Sequence, residues 1–389
     1  MASSDELLQS IIHRAAPAIR AVADFVYHHP ELGLAEHAAA ARQVELLRQL
    51  GFTVAAGCGG LPTAFQAEYG QGGPVVAVLS EYDALPELGH ACGHNLILAA
   101  ALATGIAVKE YLAAHPEVPG TVRVMGTPAE EGKGGKVVML REHVFDDVDF
   151  VFASHPFPDT LSDQGTLAVS RFTVNFHGRA AHAATAPQEG CNALDAMVLL
   201  FNGINCWRQQ LPEKARVHGI ITAGGNVANI IPDFTSAYFY LRATDRDTQE
   251  KMEQRFGRMV RGAALMTDTR EEVISQETPY LPMRVNKPLN DFFRSRAPQF
   301  GLLPAETNRY GMISSDVGNI SQHIPTVNWF FKINDDGSPL HSEGFRKAAG
   351  SDFAFDQAMR MGTVMAAGIL TLLTQPAFRR VVTDAFHCD

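Results

Sequence analysis

The stretch that decides the fold is Val75-Val76-Ala77-Val78-Leu79-Ser80-Glu81-Tyr82-Asp83, an unbroken apolar run that leads into acidic residues. A strand buried on both faces of a parallel sheet has this pattern, without polar alternation. Three further apolar runs of the same form occupy residues 122–125, 150–153 and 327–331. We therefore predict an α/β unit with a mostly parallel central sheet.

Each of these four runs is followed by residues whose side chains can bind a ligand. They are Asp83, the pair Glu130-Glu131, His155 and His341. Open α/β sheets bind ligands at the carboxyl ends of their strands, so we expect these side chains to converge on one edge of the sheet. Either histidine alone would be weak evidence, because a histidine at a strand end is often a core or capping residue.

A cysteine and a histidine lie close together in the loop His90-Ala91-Cys92-Gly93-His94-Asn95. A small-residue helix is predicted from residue 96 to 113, and the partial positive charge at a helix N-terminus lowers the pKa of a thiol. We therefore predict that Cys92 is a thiolate that is ready to bind metal. The pair by itself does not exclude the alternative, an inert buried cysteine beside a core histidine.

Thiolate, imidazole and carboxylate groups are the ligands that a borderline-soft divalent ion takes. The cysteine, the three histidines and one member of the glutamate pair supply five candidate ligands. One tetrahedral ion with an open position requires fewer than five. Two ions that share the thiolate are the simplest interpretation, and together these residues indicate a metal hydrolase.

Adjacent carboxylates repel each other unless a cation or a shared proton offsets them. One of Glu130 and Glu131 can bind metal while the other acts as general base toward water. The alternative is a solvated acidic turn. Asp83 is predicted to orient a ligand histidine rather than to bind metal, or else to be a turn residue before Leu85-Pro86. The glycine-rich segment at residues 132–136 lacks the spacing of a phosphate-binding loop.

The sequence pattern changes between about residue 168 and residue 277. The predicted elements are a strand at 172–176, a helix at 193–210, strands at 217–222 and 237–243, a helix at 248–264 and a strand at 272–275. This βαββαβ order is that of a ferredoxin-like plait. We predict an inserted domain at residues 168–280, and a first domain made of residues 1–167 and 281–389.

Three polar residues lie at the ends of predicted strands in this insert: His182, Asn229 and Arg242. They offer an imidazole, a side-chain amide and a guanidinium group to a ligand. Polar groups at strand ends often only cap loops. The residues by themselves favour that alternative slightly.

The composition excludes several classes of partner. The chain has a net charge of −10 and no basic cluster, so neither nucleic acid nor an anionic membrane surface is expected. We find no secretory signal and no apolar stretch uncharged enough to span a bilayer, and the five irregularly spaced cysteines do not form a disulfide framework. A cytoplasmic protein is expected. Ser3 and Glu6 have the spacing of a capping box before an amphipathic first helix.

Taken together, the motifs resemble those of the co-catalytic metal amidohydrolases of peptidase family M20, the aminoacylase and carboxypeptidase G group. The resemblance covers nearly the whole chain, and its motifs are His29-Pro30-Glu31-Leu32-Gly33, Asp83-Ala84-Leu85-Pro86, the loop of Cys92 and His94, Glu130-Glu131, His155, the His182 and Asn229 segments, and Leu340-His341-Ser342. The cysteine motif is similar to the subfamily of auxin-conjugate hydrolases, p-aminobenzoyl-glutamate hydrolase and basic-amino-acid dipeptidases. Ser80-Glu81-Tyr82-Asp83 and Ser314-Ser315-Asp316-Val317-Gly318 look closest to the last two groups.

The resemblance implies a role for each site residue. Cys92 would bridge two divalent ions, Zn²⁺ foremost or else Mn²⁺ or Co²⁺, and the other ligands would be His94, Glu131, His155 and His341. Glu130 would be the general base. Many relatives have His-x-Asp where this chain has Glu81-Tyr82-Asp83, so His94 would replace that missing ligand.

The inserted domain of the family is a lid that forms a homodimer and contributes residues to the substrate, and here these fall on His182, Asn229 and Arg242. The expected reaction is hydrolysis of the amide bond of an N-acyl amino acid or dipeptide, with His182 stabilising the oxyanion. One alternative is a p-aminobenzoyl-glutamate hydrolase. A catalytically silent metal-bound binding protein is the alternative from another class.

Overall fold

A computed structural model describes residues 4–388, apart from the side chains of residues 276–278. The predicted capping residue Ser3 lies outside the described residues. The chain divides into two compact units, of which the first contains the residues up to Gly165, Met283–Met312 and those from Asn319 onward. The second contains Thr166–Pro282 and Ile313–Gly318. The boundaries at residues 168 and 280 stay a prediction, and the sequence did not indicate that residues 313–318 belong with the insert.

The strands and helices are numbered in chain order. The strands are β1 (Thr53–Ala56), β2 (Phe65–Gln71), β3 (Val75–Ser80), β4 (Gly120–Gly126), β5 (Phe150–Phe157), β6 (Ala168–His177), β7 (Arg216–Ala223), β8 (Phe234–Ala243), β9 (Arg270–Tyr280) and β10 (Thr326–Lys332). The helices are α1 (Ser4–His28), α2 (His37–Gln49), α3 (His94–Ala114), α4 (Gly135–Arg141), α5 (Ala193–Arg208), α6 (Arg246–Met266), α7 (Lys287–Arg296), α8 (Val317–Ser321), α9 (Glu343–Ala349), α10 (Asp352–Thr374) and α11 (Pro376–Cys388).

The first unit is built on a six-stranded sheet in the order β1-β2-β4-β3-β5-β10. The strands β4, β3, β5 and β10 are parallel to one another, and they are the four apolar runs that the sequence predicted. Their side chains are buried almost without exception, because helices cover both faces of a parallel sheet. The predicted α/β class and mostly parallel sheet are confirmed. The antiparallel edge formed by β1 and β2 was not predicted.

Helix α3 is the central helix of this unit and packs against α1 and α10. It follows directly from the Cys92 loop and is buried on nearly every side, since alanine and leucine occupy most of its positions. By length and composition it could cross a membrane, contrary to the sequence prediction that no segment qualifies, but 78% of the qualifying window is buried inside the protein. Helices α10 and α11 pass the same test only as a pair that is bent by 100°. Burial identifies α3 as a core helix.

The second unit is an antiparallel sheet in the order β7-β8-β6-β9, with the elements arranged βαββαβ along the chain. Helices α5 and α6 pack together on the sheet and bury one of its faces, where Phe172, Phe239 and Phe256 form a cluster of rings. Alternate residues of β8 are buried, as expected for a strand with one face in the core. The predicted order of elements is correct, with ends that differ by a few residues.

Candidate metal centre

The loop that carries Cys92 requires a glycine immediately before α3. Gly93 has a φ of 77°, and a side chain at this position would come within 2.6 Å of Pro156. Glycine permits both the left-handed backbone and the close approach. The loop therefore packs against the end of β5, and Cys92 Sγ lies 3.4 Å from His155 Nε2.

His94 is the first residue of α3 and is fully buried. Its Nδ1 lies 3.0 Å from Asp83 Oδ1, while its buried Nε2 makes no well-aligned hydrogen bond within the part of the chain that the structure describes. The other oxygen of Asp83 accepts a hydrogen bond of 2.9 Å from the backbone N–H of Glu131. A carboxylate that orients one ring nitrogen of a histidine presents the other nitrogen to a metal. Asp83 thus contacts two of the predicted ligands, His94 and Glu131, of which the sequence predicted only a contact with a ligand histidine.

The remaining two histidines are also oriented by the backbone. His155 Nδ1 lies 2.7 Å from the carbonyl oxygen of Pro156, and donation to it leaves Nε2 facing Cys92. His341 has a left-handed φ of 60°, and its backbone N–H donates to the Ala91 carbonyl at 3.0 Å. Its Nε2 lies 3.4 Å from Glu131 Oε1. Such a backbone conformation persists only where surrounding contacts fix it, and it is frequent at functional sites.

Three groups of described side chains have ligand atoms that all lie within 4.8 Å of one another. The groups are Cys92 with His94 and His155, Cys92 with Glu131 and His341, and His94 with Glu130 and Glu131. We refer to these six residues as the ligand cluster. The fold therefore brings together every residue that the sequence assigned to metal binding or to general base catalysis.

The pKa of Cys92 departs from the sequence prediction. Burial raises the pKa of the thiol well above its usual value, the Glu131 carboxylate raises it further, and the His94 ring opposes both. The helix N-terminus does not by itself produce a thiolate, because desolvation disfavours the charged form of a fully buried group. The prediction of a ready thiolate is wrong in this respect. A cation must offset the charge before Cys92 loses its proton.

The other groups of the cluster differ in their preferred charge. Burial alone would raise the pKa of Asp83, but the charge and hydrogen bond of His94 lower it to about 2. Burial likewise would lower the pKa of His94, and Asp83 raises it well above its usual value. Burial lowers the pKa of His155 to about 4, so its ring is neutral at pH 7. A neutral imidazole is the form that binds metal.

Sequence reasoning missed two buried residues beside the cluster. Lys136 Nζ lies 2.8 Å from Glu81 Oε1, and the two side chains are 0% and 4% exposed. Glu81 stands in the motif that leads from β3 to Asp83, and Lys136 follows the glycine-rich turn after Glu131. The signal that could have identified the pair was a lysine directly after Gly134-Gly135, at the start of an apolar segment.

His182 and Asn229 lie in adjacent segments of the second unit. The Ala183 N–H donates to the Asn229 carbonyl at 3.0 Å. The side chains of His182 and Asn229 are both exposed. The backbone N–H groups of Ala184 and Thr185 donate to His182 Nδ1 at 3.2 and 3.3 Å. A neutral His182 with Nδ1 as acceptor carries its proton on Nε2 and can donate it to a ligand.

Arg242 lies far from those two residues within the second unit. The loop of His182 and Asn229 adjoins the start of β8, while Arg242 is near its end, about 25 Å further at roughly 3.3 Å per residue. Arg242 Nη1 donates to Ser314 Oγ at 2.7 Å. Burial, and then the charge of Arg171, lower its pKa. The structure therefore does not bring Arg242 to the other two residues of one chain.

A model of peptidase family M20/M25/M40 matches residues 77–365, a span that contains every residue of the ligand cluster. The chain belongs to this family. The predicted family membership and the predicted class of enzyme, a metal-dependent amidohydrolase, are confirmed by this match and by the relatives described next.

Curated relatives resemble the chain over most of its length. The Xaa-Arg dipeptidase of Mus musculus is 35% identical over 97% of this chain and 90% of that protein. One of the subunits of the p-aminobenzoyl-glutamate hydrolase of Escherichia coli K12 is 39% identical over 68% of this chain and 59% of that protein. The hippurate hydrolase of Campylobacter jejuni is 24% identical over 82% of this chain and 89% of that protein.

Solved structures share the fold at lower sequence identity. An aminobenzoyl-glutamate utilization protein from Klebsiella pneumoniae has a TM-score of 0.73 at 21% identity, covering 95% of this chain and 99% of that chain. A Bacillus subtilis protein described as a dinuclear metal binding peptidase of the M20 family has a TM-score of 0.69 at 21% identity, covering 92% and 98%. These similarities support the fold.

Proposed function

We propose that the protein hydrolyses the amide bond of an N-acyl amino acid or a dipeptide at the ligand cluster. One observation carries the proposal: a buried cysteine, three histidines and two glutamates whose ligand atoms form groups within 4.8 Å. Burying so many ionisable groups is unfavourable unless cations or hydrogen bonds offset them. The match to the M20 family spans all six residues of the cluster and supports the same proposal.

The cluster fits two divalent ions that share the Cys92 thiolate. His94 Nε2 and Glu131 Oε1 are buried and make no well-aligned hydrogen bond to a described residue, and the ion pair of Glu131 Oε1 with His341 Nε2 at 3.4 Å joins two of the proposed ligands. This is the state expected of ligands that await a cation. Cysteine and histidine favour Zn²⁺, while the carboxylates also suit Mn²⁺ or Co²⁺. Such ions would lower the pKa of a water molecule and polarise the amide carbonyl. The M20 relative from Bacillus subtilis is described as dinuclear, which agrees with two ions.

Glu130 and Glu131 would have different roles. Glu131 lies 3.4 Å from His341 Nε2 and 3.9 Å from His94 Nε2, so it is surrounded by other ligands. Glu130 groups with His94 and Glu131 but not with Cys92, which suits a base at the edge of the cluster. We assign to Glu130 the removal of a proton from the attacking water and its delivery to the leaving amine.

The residues of the second unit would bind the substrate. His182 Nε2 is the ring atom free to donate, which suits stabilisation of an oxyanion. Asn229 and Arg242 offer donors for a substrate carboxylate next to the scissile amide. Because Arg242 lies about 25 Å along β8 from the other two, one chain cannot bring all three to one carboxylate. Residues from two chains could meet that requirement.

A homodimer through the second unit is therefore part of the proposal. Strand β7 lies at the edge of its sheet, and Ile220 and Ile221 on it are 64% and 45% exposed. An exposed apolar edge strand is a template for pairing with another chain. A twofold-symmetric contact there would let each chain contribute His182 and Asn229 to the site of its partner.

Dipeptides with a basic second residue are the first substrates to consider, because the mouse Xaa-Arg dipeptidase resembles the chain over 97% of its length. The second candidate is p-aminobenzoyl-glutamate. The p-aminobenzoyl-glutamate hydrolase of Escherichia coli supports this candidate, because one of its subunits is 39% identical over 68% of this chain. Both substrates have a free carboxylate beside an amide bond, so the same catalytic groups serve either reaction.

The test is a hydrolysis screen of Xaa-Arg and Xaa-Lys dipeptides, N-acyl amino acids and p-aminobenzoyl-glutamate, with Zn²⁺, Mn²⁺ or Co²⁺ added. We expect turnover of at least one class, and Glu130→Gln should slow it by about 10²–10⁴ while metal content stays the same. Glu131→Gln, the matched control, should lose metal instead. The reverse pattern would exchange the two assignments. No turnover by a metal-loaded protein would support the silent binding protein.

A further inference from the structure

The buried ion pair of Glu81 and Lys136 has no part in the reaction proposed above. Its atoms Lys136 Nζ and Glu81 Oε1 are 2.8 Å apart, and both side chains are almost inaccessible to solvent. Desolvating two charges is often no more favourable than packing apolar side chains of the same size. Stability alone therefore does not explain why Glu81 and Lys136 are buried together.

The second oxygen of Glu81 faces the ligand cluster. Glu81 Oε2 lies 3.8 Å from His94 Nε2, and Glu131 Oε1 lies 3.9 Å from the same nitrogen. His94 Nε2 is itself buried and makes no well-aligned hydrogen bond to a described residue. Glu81 is thus as close to this nitrogen as Glu131, which is already assigned as a ligand.

These distances suit side chains that bind one ion together. Two ligand atoms that each lie about 2.1 Å from an ion in tetrahedral geometry are about 3.4 Å apart. The distances of the two carboxylate oxygens from His94 Nε2 exceed this spacing by a few tenths of an ångström. Glu81 is not a member of the groups within 4.8 Å, so its side chain must rotate toward the other ligands to bind the same ion. We propose that Glu81 is a further ligand of the ion that His94 binds, and that Lys136 holds it in place. This inference rests on the proposed metal-dependent function.

Lys136 would allow the additional carboxylate without changing the net charge of the site. Two divalent ions match the four other acidic side chains around them, which are Asp83, Cys92, Glu130 and Glu131. Glu81 and Lys136 add one charge of each sign. A lysine ammonium cannot bind a cation, so its place is on the far oxygen of Glu81. The near oxygen remains available.

The glycine-rich turn before Lys136 serves this placement. Gly134 has a φ of 66°, and a side chain at Gly135 would collide with the carbonyl of Pro128. Helix α4 therefore begins close behind the Glu130-Glu131 loop, with Lys136 as its second residue. The segment that lacks the spacing of a phosphate loop has a structural role here, which is to bury an ammonium group beside the cluster.

The test is titration of the metal-stripped full chain with Co²⁺, followed by calorimetry and by the visible absorption of bound Co²⁺. Glu81→Gln should bind one of two ions at least about tenfold more weakly, with an altered spectrum. A double variant, Glu81→Gln with Lys136→Met, leaves no unpaired buried charge and should fold, yet show the same defect. Lys136→Met alone should weaken the same ion less than Glu81→Gln does, because the carboxylate is still present but is no longer held in place, and the stripped protein should melt at a lower temperature.

Wild-type Co²⁺ stoichiometry and spectrum in both Glu81→Gln and the double variant would overturn the inference, and the pair would then be structural only. Glu131→Gln is measured in parallel to separate this result from failure of the proposed function. If Glu131→Gln loses an ion and Glu81→Gln does not, only the further inference fails. If neither variant loses an ion, the metal site itself is wrongly assigned.

Discussion

The ligand cluster in the first unit and the polar residues of the second unit differ in how they are held. His94 and Cys92 are buried and fixed by hydrogen bonds and neighbouring loops before any ligand arrives. His182 and Asn229 are exposed, and their segments are held by local backbone hydrogen bonds. Water can solvate the exposed pair at little cost, whereas the buried groups require a compensating charge.

The difference shows which functional groups a single chain positions by itself and which groups depend on a substrate or a second chain. A buried cluster of ionisable groups carries its function in its own geometry, since only a narrow range of ligands can offset its charges. Exposed donors on a separate unit acquire a function only when a substrate or another chain reaches them. Predictions about the first group concern metal affinity, and predictions about the second concern the pairing of chains.

The largest expected effect concerns the preorganisation of the cluster. Asp83→Asn should lower metal affinity by about 10–100-fold, because the amide can no longer both accept from His94 and accept from the Glu131 N–H. Calorimetric titration with Zn²⁺ measures this affinity. An unchanged affinity would mean that His94 and Glu131 are oriented without Asp83.

Asp163 provides the matched control for that experiment. It is also a buried aspartate that accepts two backbone hydrogen bonds, from Gly165 at 2.8 Å and from Asn328 at 3.1 Å. Among the described residues no cation contributes to its pKa, which burial raises to about 7. Asp163→Asn should leave metal affinity unchanged. Equal losses in the two variants would attribute the effect to general damage in the core.

The next effect tests whether the exposed residues act across a dimer. Inactive Glu130→Gln chains are allowed to exchange with inactive His182→Ala chains, and half of the dimers then contain one chain of each kind. Each mixed dimer gains one complete site, so activity should rise from about 1% or less to about a quarter of wild type. Native mass spectrometry confirms the mixed dimers. If they form without activity, His182 serves its own chain.

His182→Ala mixed with Asn229→Ala is the control that the geometry supplies. These two residues belong to adjacent segments of one unit, joined by the hydrogen bond from Ala183 N–H to the Asn229 carbonyl. Both would therefore reach a given site from the same chain, and no mixed dimer has a complete set. Activity should stay at background. Recovery in this mixture would show that the two residues serve different sites.

The smallest effect concerns recognition of the substrate carboxylate. Amidating the carboxylate next to the scissile bond should lower kcat/KM by at least about tenfold, which corresponds to about 1.4 kcal/mol. The reason is that a neutral amide cannot form the ion pair, with both partners charged, that a carboxylate forms with the Arg242 guanidinium. Arg242→Ala should reduce the difference between the acid and the amide. Equal rates for both substrates in the wild-type enzyme would remove Arg242 and Asn229 from this role.

Most of the first unit could be predicted from local sequence patterns. Unbroken apolar runs specify parallel strands, and the residues after them must then lie at one edge of the sheet. The βαββαβ order of the second unit could also be predicted, because strands and helices differ in the period of their apolar residues. Neither inference needed knowledge of a contact between distant residues. The antiparallel strands β1 and β2 were missed because β1 has only four residues, and because β2 alternates apolar and polar residues instead of forming an unbroken apolar run.

What the sequence by itself determined is the identity of the ligand cluster and the order of the elements that carry it, because residue type and position after a strand are local properties. Only the tertiary structure decided the direction in which burial shifts the pKa of Cys92, the burial of Lys136 against Glu81, and the separation of Arg242 from His182. Each of these depends on which groups from remote parts of the chain become neighbours. Desolvation and Coulomb interactions act between such neighbours in space, and no local pattern records their distance.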